Sequence, residues 1–306
     1  MAPPASPMGS HALSLAVDTC LRERGAPALL VEVEIDVGGP WGDPAPVVAK
    51  AAEIAEAGAD AIVLVAPAVA RAKKNKKDFA PPQQQQEQDD NENADAAATL
   101  ACLLSVSRSL AANPKFKLGK GDVSFSISAS SQSGSIVPPV LLRDWIVHPL
   151  QLADVKAAGG SGALGAAAAV LGKGGPVLTS FGAAMGLDVP LEVVNASESR
   201  EATDGGNGVP IVAVNVSLAL SISIASIAGA AGAVAGGILS ELPPGCFAVV
   251  GCDSLAAVRE AARAGAAAVV VKEEAWRDAL RPAGAFQENS VAEAMEELRS
   301  AASLSD

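Results

Sequence analysis

The chain has no tyrosine, and aromatic residues make up only 3% of it. Proteins that stack on nucleic-acid bases need aromatic platforms, and few can be built here. Cations are also short: 22 Lys and Arg stand against 34 Asp and Glu, for a net charge of −12. Binding a phosphate backbone needs clustered Lys and Arg. The one such cluster, Lys73, Lys74, Lys76 and Lys77, runs straight into an acidic tract, so no nucleic-acid partner is expected. Histidine is limited to His11 and His148, and the four cysteines (Cys20, Cys102, Cys246 and Cys252) show no CxxC spacing. That pattern argues against a metal site and reads as free thiols in a reducing compartment. No run of 18 strongly apolar residues appears. The nearest, Val214 to Leu239, is rich in Ala, Gly and Ser and follows a strand pattern. It reads as a buried helix, so the chain is expected not to span a membrane. Met1 to Ser10 lacks the charged and apolar regions of a secretory signal.

Half of the 306 residues are hydrophobic, mostly Ala and Val. Small side chains suit close packing of helices on a sheet. Short β-branched runs alternate with Ala-rich helical stretches, the pattern of parallel strands with helical crossovers. Strands are expected at Leu29–Ile35, Ala61–Val65, Val140–Leu142, Ser161–Gly165, Val189–Val194, Ile211–Asn215, Phe247–Gly251 and Ala267–Val271. Helices are expected at Pro46–Ala57, Pro149–Ala158, Ser254–Ala264 and Val291–Ala302, with others between. Eight such strands predict a closed (β/α)8 barrel, an α/β TIM-barrel fold, as one domain over 1–306. An open doubly wound sheet is the competing architecture, but Gly38-Gly39-Pro40 is not its GxGxxG turn. The rhythm breaks between the second and third strands. Residues 67–137 read as an insertion, with a helix near Asp95–Ala112 and a disordered Gln/Asp/Asn-rich surface loop at 73–95.

In such barrels the active site lies at the C-terminal ends of the strands. That selects Glu32, Glu34 and Asp36, Arg143 and Asp144, Glu192 and Asn195, Asn215, Cys252 and Asp253, and Lys272 and Glu273. A carboxylate pointing into a barrel mouth needs a partner, which singles out Glu32 and Glu192. His148 reads as a cap or a surface residue.

Several stretches resemble the indole-3-glycerol phosphate synthase family. Pro139–Gly159 (PVLLRDWIVHPLQLADVKAAG) resembles its third strand and following helix. PLEVVNASESREA resembles its fifth strand, IVAVN its sixth, and Phe247–Trp276 its seventh and eighth. Ser14–Glu34 resembles its N-terminal helix and first strand. The resemblance spans most of residues 12–280 outside the insertion. It implies a tryptophan-biosynthesis lyase that closes an indole ring on an anilino-deoxyribulose phosphate, without a cofactor. By resemblance, Glu32, Arg143, Glu192 and Asn215 fall on catalytic positions. Ser254 and Lys272 fall where a phosphate would bind, so the implied ligand is small and phosphorylated. Trp145 takes the position of a family Phe and reads as core packing. The family's plastid role in photosynthetic eukaryotes, with an Ala- and Gly-rich composition and a Gln tract of algal style, sets a chloroplast stroma as the expected compartment, otherwise the cytoplasm.

Several catalytic positions are substituted. The first-strand lysine is Glu34, the catalytic third-strand lysine is Arg143, an arginine after the sixth strand is Ser217, and the eighth-strand glycine is Lys272. Arginine stays protonated and is a poor proton donor. Losing a positioned general acid typically costs about 10²–10⁴-fold in rate. Glu34 reverses a charge where an anionic substrate should lie, and like charges about 4 Å apart repel by roughly 1–4 kcal/mol. The expected function is a catalytically degenerate barrel that serves as a structural or interaction subunit with other proteins. The alternatives are an active or slow synthase with a rearranged site, and a barrel whose acidic rim takes a less phosphorylated or cationic ligand.

Overall fold

The computed structural model describes residues 11–36, 43–74, 85–116, 137–203, 211–214, 236–243, 245–281 and 289–303, and elements are numbered over those residues. Nine short apolar runs form strands: β1 (Ala28–Glu34), β2 (Ala61–Val65), β3 (Val140–Arg143), β4 (Gly162–Leu164), β5 (Ala166–Ala167), β6 (Leu191–Val193), β7 (Ile211–Val214), β8 (Phe247–Cys252) and β9 (Ala268–Val271). Every pairing between them is parallel. Their order is β4-β3-β2-β1-β9-β8-β7-β6-β5. The two ends of that order, β4 and β5, are separated in the chain by Gly165 alone. They are one stave with a break in it, so the nine strands make an eight-stave closed barrel, the (β/α)8 architecture.

Gly165 is the residue that permits closure. Its φ is +104°, and a Cβ placed on it would lie 1.8 Å from the carbonyl oxygen of Asp144. The chain turns there so that β4 pairs with β3 and β5 pairs with β6. The sequence predicts one strand over 161–165; the break follows from this glycine.

The period-2 alternation of each strand sorts its side chains into two cores. Ala28, Leu30, Ala61, Val63, Leu141, Leu164, Ile211, Val249, Ala268 and Val270 fill the barrel interior. Leu29, Val31, Val33, Ile62, Leu64, Leu142, Val212, Val269 and Val271 face outward, against the helices. Fully burying one such Val or Leu side chain contributes about 1.5–3 kcal/mol. The helix α1 (Ala12–Arg24) adds Leu13, Val17 and Cys20 to the interior cluster, closing the N-terminal end. Its first turn has no side-chain cap of its own. Instead Asp188, just before β6, accepts from Leu13 N at 2.8 Å and from Ser14 Oγ at 2.6 Å. At its other end Arg24 donates to Asp60 at 2.6 Å, and Asp60 also accepts from Leu29 N.

Outside the barrel lie α2 (Ala45–Glu56), α3 (Pro67–Lys74), α4 (Gln85–Ala112), α5 (Pro149–Ala157), α6 (Ala168–Leu171), α7 (Gly174–Ala184), α8 (Ala196–Thr203), α9 (Leu255–Arg263), α10 (Glu273–Leu280) and α11 (Val291–Ala302). The helix expected from Asp95 starts ten residues earlier, at Gln85. Residues 85–95 read as loop from their polarity, but Gln and Glu are good helix formers. Residues 75–84 lie outside the described residues. By length and composition Asp95–Ala112 would suffice to cross a membrane, at a mean hydropathy of 1.2. Its buried positions, Ala98, Thr99, Cys102, Leu103, Val106 and Leu110, recur at helical spacing and form one stripe. The helix packs on α2 and β3, the place a barrel keeps for its second crossover helix.

Gly165→Ala is expected to cost about 3 kcal/mol or more in urea unfolding, from overpacking and a positive φ together. Gly25→Ala is the control. Gly25 has φ +63° with no atom near its would-be Cβ, so only the conformational cost of about 1–2 kcal/mol applies. Equal losses in the two variants would show that the Gly165 turn is not what closes the sheet.

Candidate functional site

The inward parity of the strands places charge at the C-terminal end of the barrel interior. Glu32 continues the series Ala28, Leu30; Arg143 follows Leu141; Lys272 follows Ala268 and Val270. Glu192 alternates with the outward-facing Leu191 and Val193. Two acids and two bases therefore meet at the mouth.

Arg143 holds the centre. Its guanidinium donates to Glu32 Oε1 at 2.7 Å and lies 3.8 Å from Glu192 Oε1. Glu32 is completely buried, while Arg143 and Glu192 keep 13% and 11% of their side chains exposed. Burial works against the Arg143 charge, but the carboxylates of Glu32 and Glu192 outweigh it and raise the pKa. Arg143 is thus a fixed cation, bound to its own protein's acids. Lys272 lines the same cavity. Its side chain lies across Gly251, where a Cβ would come within 3.2 Å of the lysine Cε. The remaining cavity is about 20 Å³, lined by Arg143, Leu164, Glu192, Val249, Gly251 and Lys272 among others. That is room for about one water molecule.

Three of the four expected catalytic residues, Glu32, Arg143 and Glu192, are brought together. Asn215 lies outside the described residues. Of the two expected phosphate residues, Lys272 joins the cluster and Ser254 does not. The Ser254 hydroxyl accepts from Ala257 N at 3.2 Å as the N-cap of α9. Asn195 caps α8 in the same way, accepting from Glu198 N at 2.9 Å. Cys252 faces the outer layer, and burial pushes its thiol up to about 12. His148 caps α5, accepting from Leu150 N at 3.2 Å.

Two expectations need correction. Trp145 is not core packing: it is 55% exposed, because the turn after β3 buries Ile146 instead. Glu34 does not stand as a bare reversed charge. Its carboxyl lies beside that of Glu273, to which Arg277 donates at 2.6 Å. Burial opposes the Glu273 carboxylate, yet these bonds outweigh it and lower its pKa. Sequence reasoning also missed Gly251 as the floor beneath Lys272. The signal was a small residue at an inward position of β8, next to a strand ending in lysine.

Among the described residues, no group of three or more His, Cys, Asp or Glu side chains is placed to hold a metal ion.

No protein-family model matches the sequence, and no curated protein does either. Solved structures do match in shape. Tryptophan synthase from M. tuberculosis, in an aminoacrylate- and BRD0059-bound form, superposes with a TM-score of 0.55 at 15% identity, over 97% of this chain and 100% of that chain. Tryptophan synthase subunit alpha from Legionella pneumophila superposes with a TM-score of 0.56 at 13% identity, over 96% of this chain and 98% of its own.

Arg143→Leu is expected to cost about 3–5 kcal/mol, since removing one partner leaves buried carboxylates uncompensated. Adding Glu32→Gln and Glu192→Gln should recover most of that loss in urea titrations. A loss under about 1 kcal/mol would mean the cluster is solvated, as surface pairs are. Asp144 supplies a pH test. Burial raises its pKa, so the folded state holds this proton more tightly than the unfolded chain. Stability from this group is full below the unfolded value and declines as pH rises towards the folded one. Asp144→Asn should therefore raise the melting temperature at pH 7 and not at pH 3. A gain at both pH values would point to a cause other than ionisation. At this identity the likeness to the two solved structures above extends to the fold alone, a TIM barrel.

Proposed function

We propose that this chain is a catalytically degenerate barrel, similar in design to indole-3-glycerol phosphate synthase, that serves as a structural or interaction subunit. One observation carries the reading. Arg143 sits where a proton-donating lysine would be needed, and its charge is neutralised by Glu32 and Glu192 within 2.7 and 3.8 Å. A guanidinium in that setting does not give up a proton near neutral pH. Among the described residues the cavity beside it is small, about 20 Å³. The shared fold with tryptophan synthase structures supports descent from a tryptophan-biosynthesis barrel. The reading extends to partner proteins and to a plastid setting.

The second reading, a slow synthase, draws on the same cluster: two carboxylates and two cations converge at the mouth, with Lys272 as the one remaining amine. Turnover of the anilino-deoxyribulose phosphate to indole-3-glycerol phosphate separates the two. The purified protein is expected to show no product above the rate of a Glu192→Gln control. Product formed by the wild type and lost in the control would establish the slow synthase instead.

A further inference from the structure

The outer helices of this barrel are not alike. α9 carries Arg259, Glu260 and Arg263; α10 carries Glu273, Glu274, Arg277 and Asp278; α11 carries Glu293, Glu296, Glu297 and Arg299. Between Lys156 and Asp188, by contrast, the sole charged residue is Lys173. That stretch forms β4 to α7 and the outside of the barrel next to α5. A surface helix ordinarily shows a polar outer face. The outer face of α7 shows Val177 and Phe181, one turn apart, while Leu178 and Gly182 face inward.

The large apolar residues that the described surface leaves exposed are concentrated here. Trp145, Val147 and Leu150 precede or begin α5, Val170 lies on α6, and Val177 and Phe181 lie on α7; they are 39–70% exposed. α5 packs on α7, and α6 packs on α7, so these residues share one side of the molecule. Together they present on the order of 600 Å² of apolar surface, at the upper end of the largest patch on an ordinary monomer. Standard interfaces bury about 800 Å² on each partner.

We propose that this face is a self-association surface, and that its occupant is the same face of a second copy of the chain. Charge favours that occupant. At a net −12, two copies repel through most of their surface. They can approach closely where charge is sparse, and a two-fold contact sets the α5–α7 face of one copy on the α5–α7 face of the other. Such a contact needs a patch complementary to itself, and an apolar patch whose few exposed charges, Asp154, Lys156 and Lys173, are of both signs meets that condition. The contact lies on the outer wall and leaves the ion cluster untouched, so it stands whether or not the mouth turns over substrate.

Sedimentation velocity of the full chain, at micromolar to about 100 μM concentration, is the test. The expected species is a dimer of about 61 kDa, twice the 30.4 kDa chain. Val177→Asp and Phe181→Asp should each weaken it about tenfold or more, with unchanged circular dichroism. Leu15, 57% exposed on α1 at the N-terminal end of the barrel, provides the control: Leu15→Asp should leave the dimer intact. A wild-type monomer throughout that range overturns the proposal. So does a dimer that survives both α7 substitutions, or a dimer that Leu15→Asp disrupts equally, because either places the contact elsewhere.

Discussion

The rest of this molecule depends on a guanidinium held in a barrel. Arg143 is buried, and an uncompensated charge there would be strongly destabilising. Glu32 and Glu192 supply the compensation from β1 and β6. β3 lies two staves from β1 on one side and two from β6 on the other, so Arg143 links the opposite staves β1 and β6. A guanidinium paired in this way stays protonated near neutral pH, and the proposal of a degenerate site rests on that pairing.

The interior below is equally committed. Small and branched side chains fill it, and α1 closes the N-terminal end with Leu13, Val17 and Cys20. Asp188 fixes that helix in place by capping its first turn. Lys272 lies over Gly251 at the opposite end. Among the described residues the interior is filled from α1 up to the ion cluster, beside which lies a cavity of about 20 Å³. What distinguishes one side of the molecule from another is then on the outside, where charge is unevenly spread.

Much of this was legible in the sequence because strands announce themselves by period. Runs such as AIVLV and AAVVV, spaced by helical stretches, marked the staves. Their C-terminal ends, together with the family resemblance, brought Glu32, Arg143, Glu192 and Lys272 forward as site residues; which of the strand-end residues face inward follows from the pleat and was not read in advance. The break at Gly165 was not legible, since one glycine in an Ala- and Gly-rich stretch carries no distinct signal until its close approach to Asp144 is seen. Trp145 misled for a related reason: a large ring suggests a core, but whether the turn after β3 buries position 145 or 146 is a matter of backbone geometry. The start of α4 was hidden because polar residues suit both a loop and a solvated helix. The meeting of Glu34 and Glu273 joins residues far apart in the chain, at the ends of the first and last staves. No local pattern encodes such a meeting.

The central claim is that the mouth is occupied by the protein's own charges. Isothermal titration of the intact protein with the anilino-deoxyribulose phosphate tests it most directly. The account predicts no saturable heat up to millimolar ligand, because Arg143 is already paired with Glu32 and Glu192. Binding at micromolar concentration, lost when Arg143 or Lys272 is replaced, would contradict it and show that the ion cluster opens to receive a substrate.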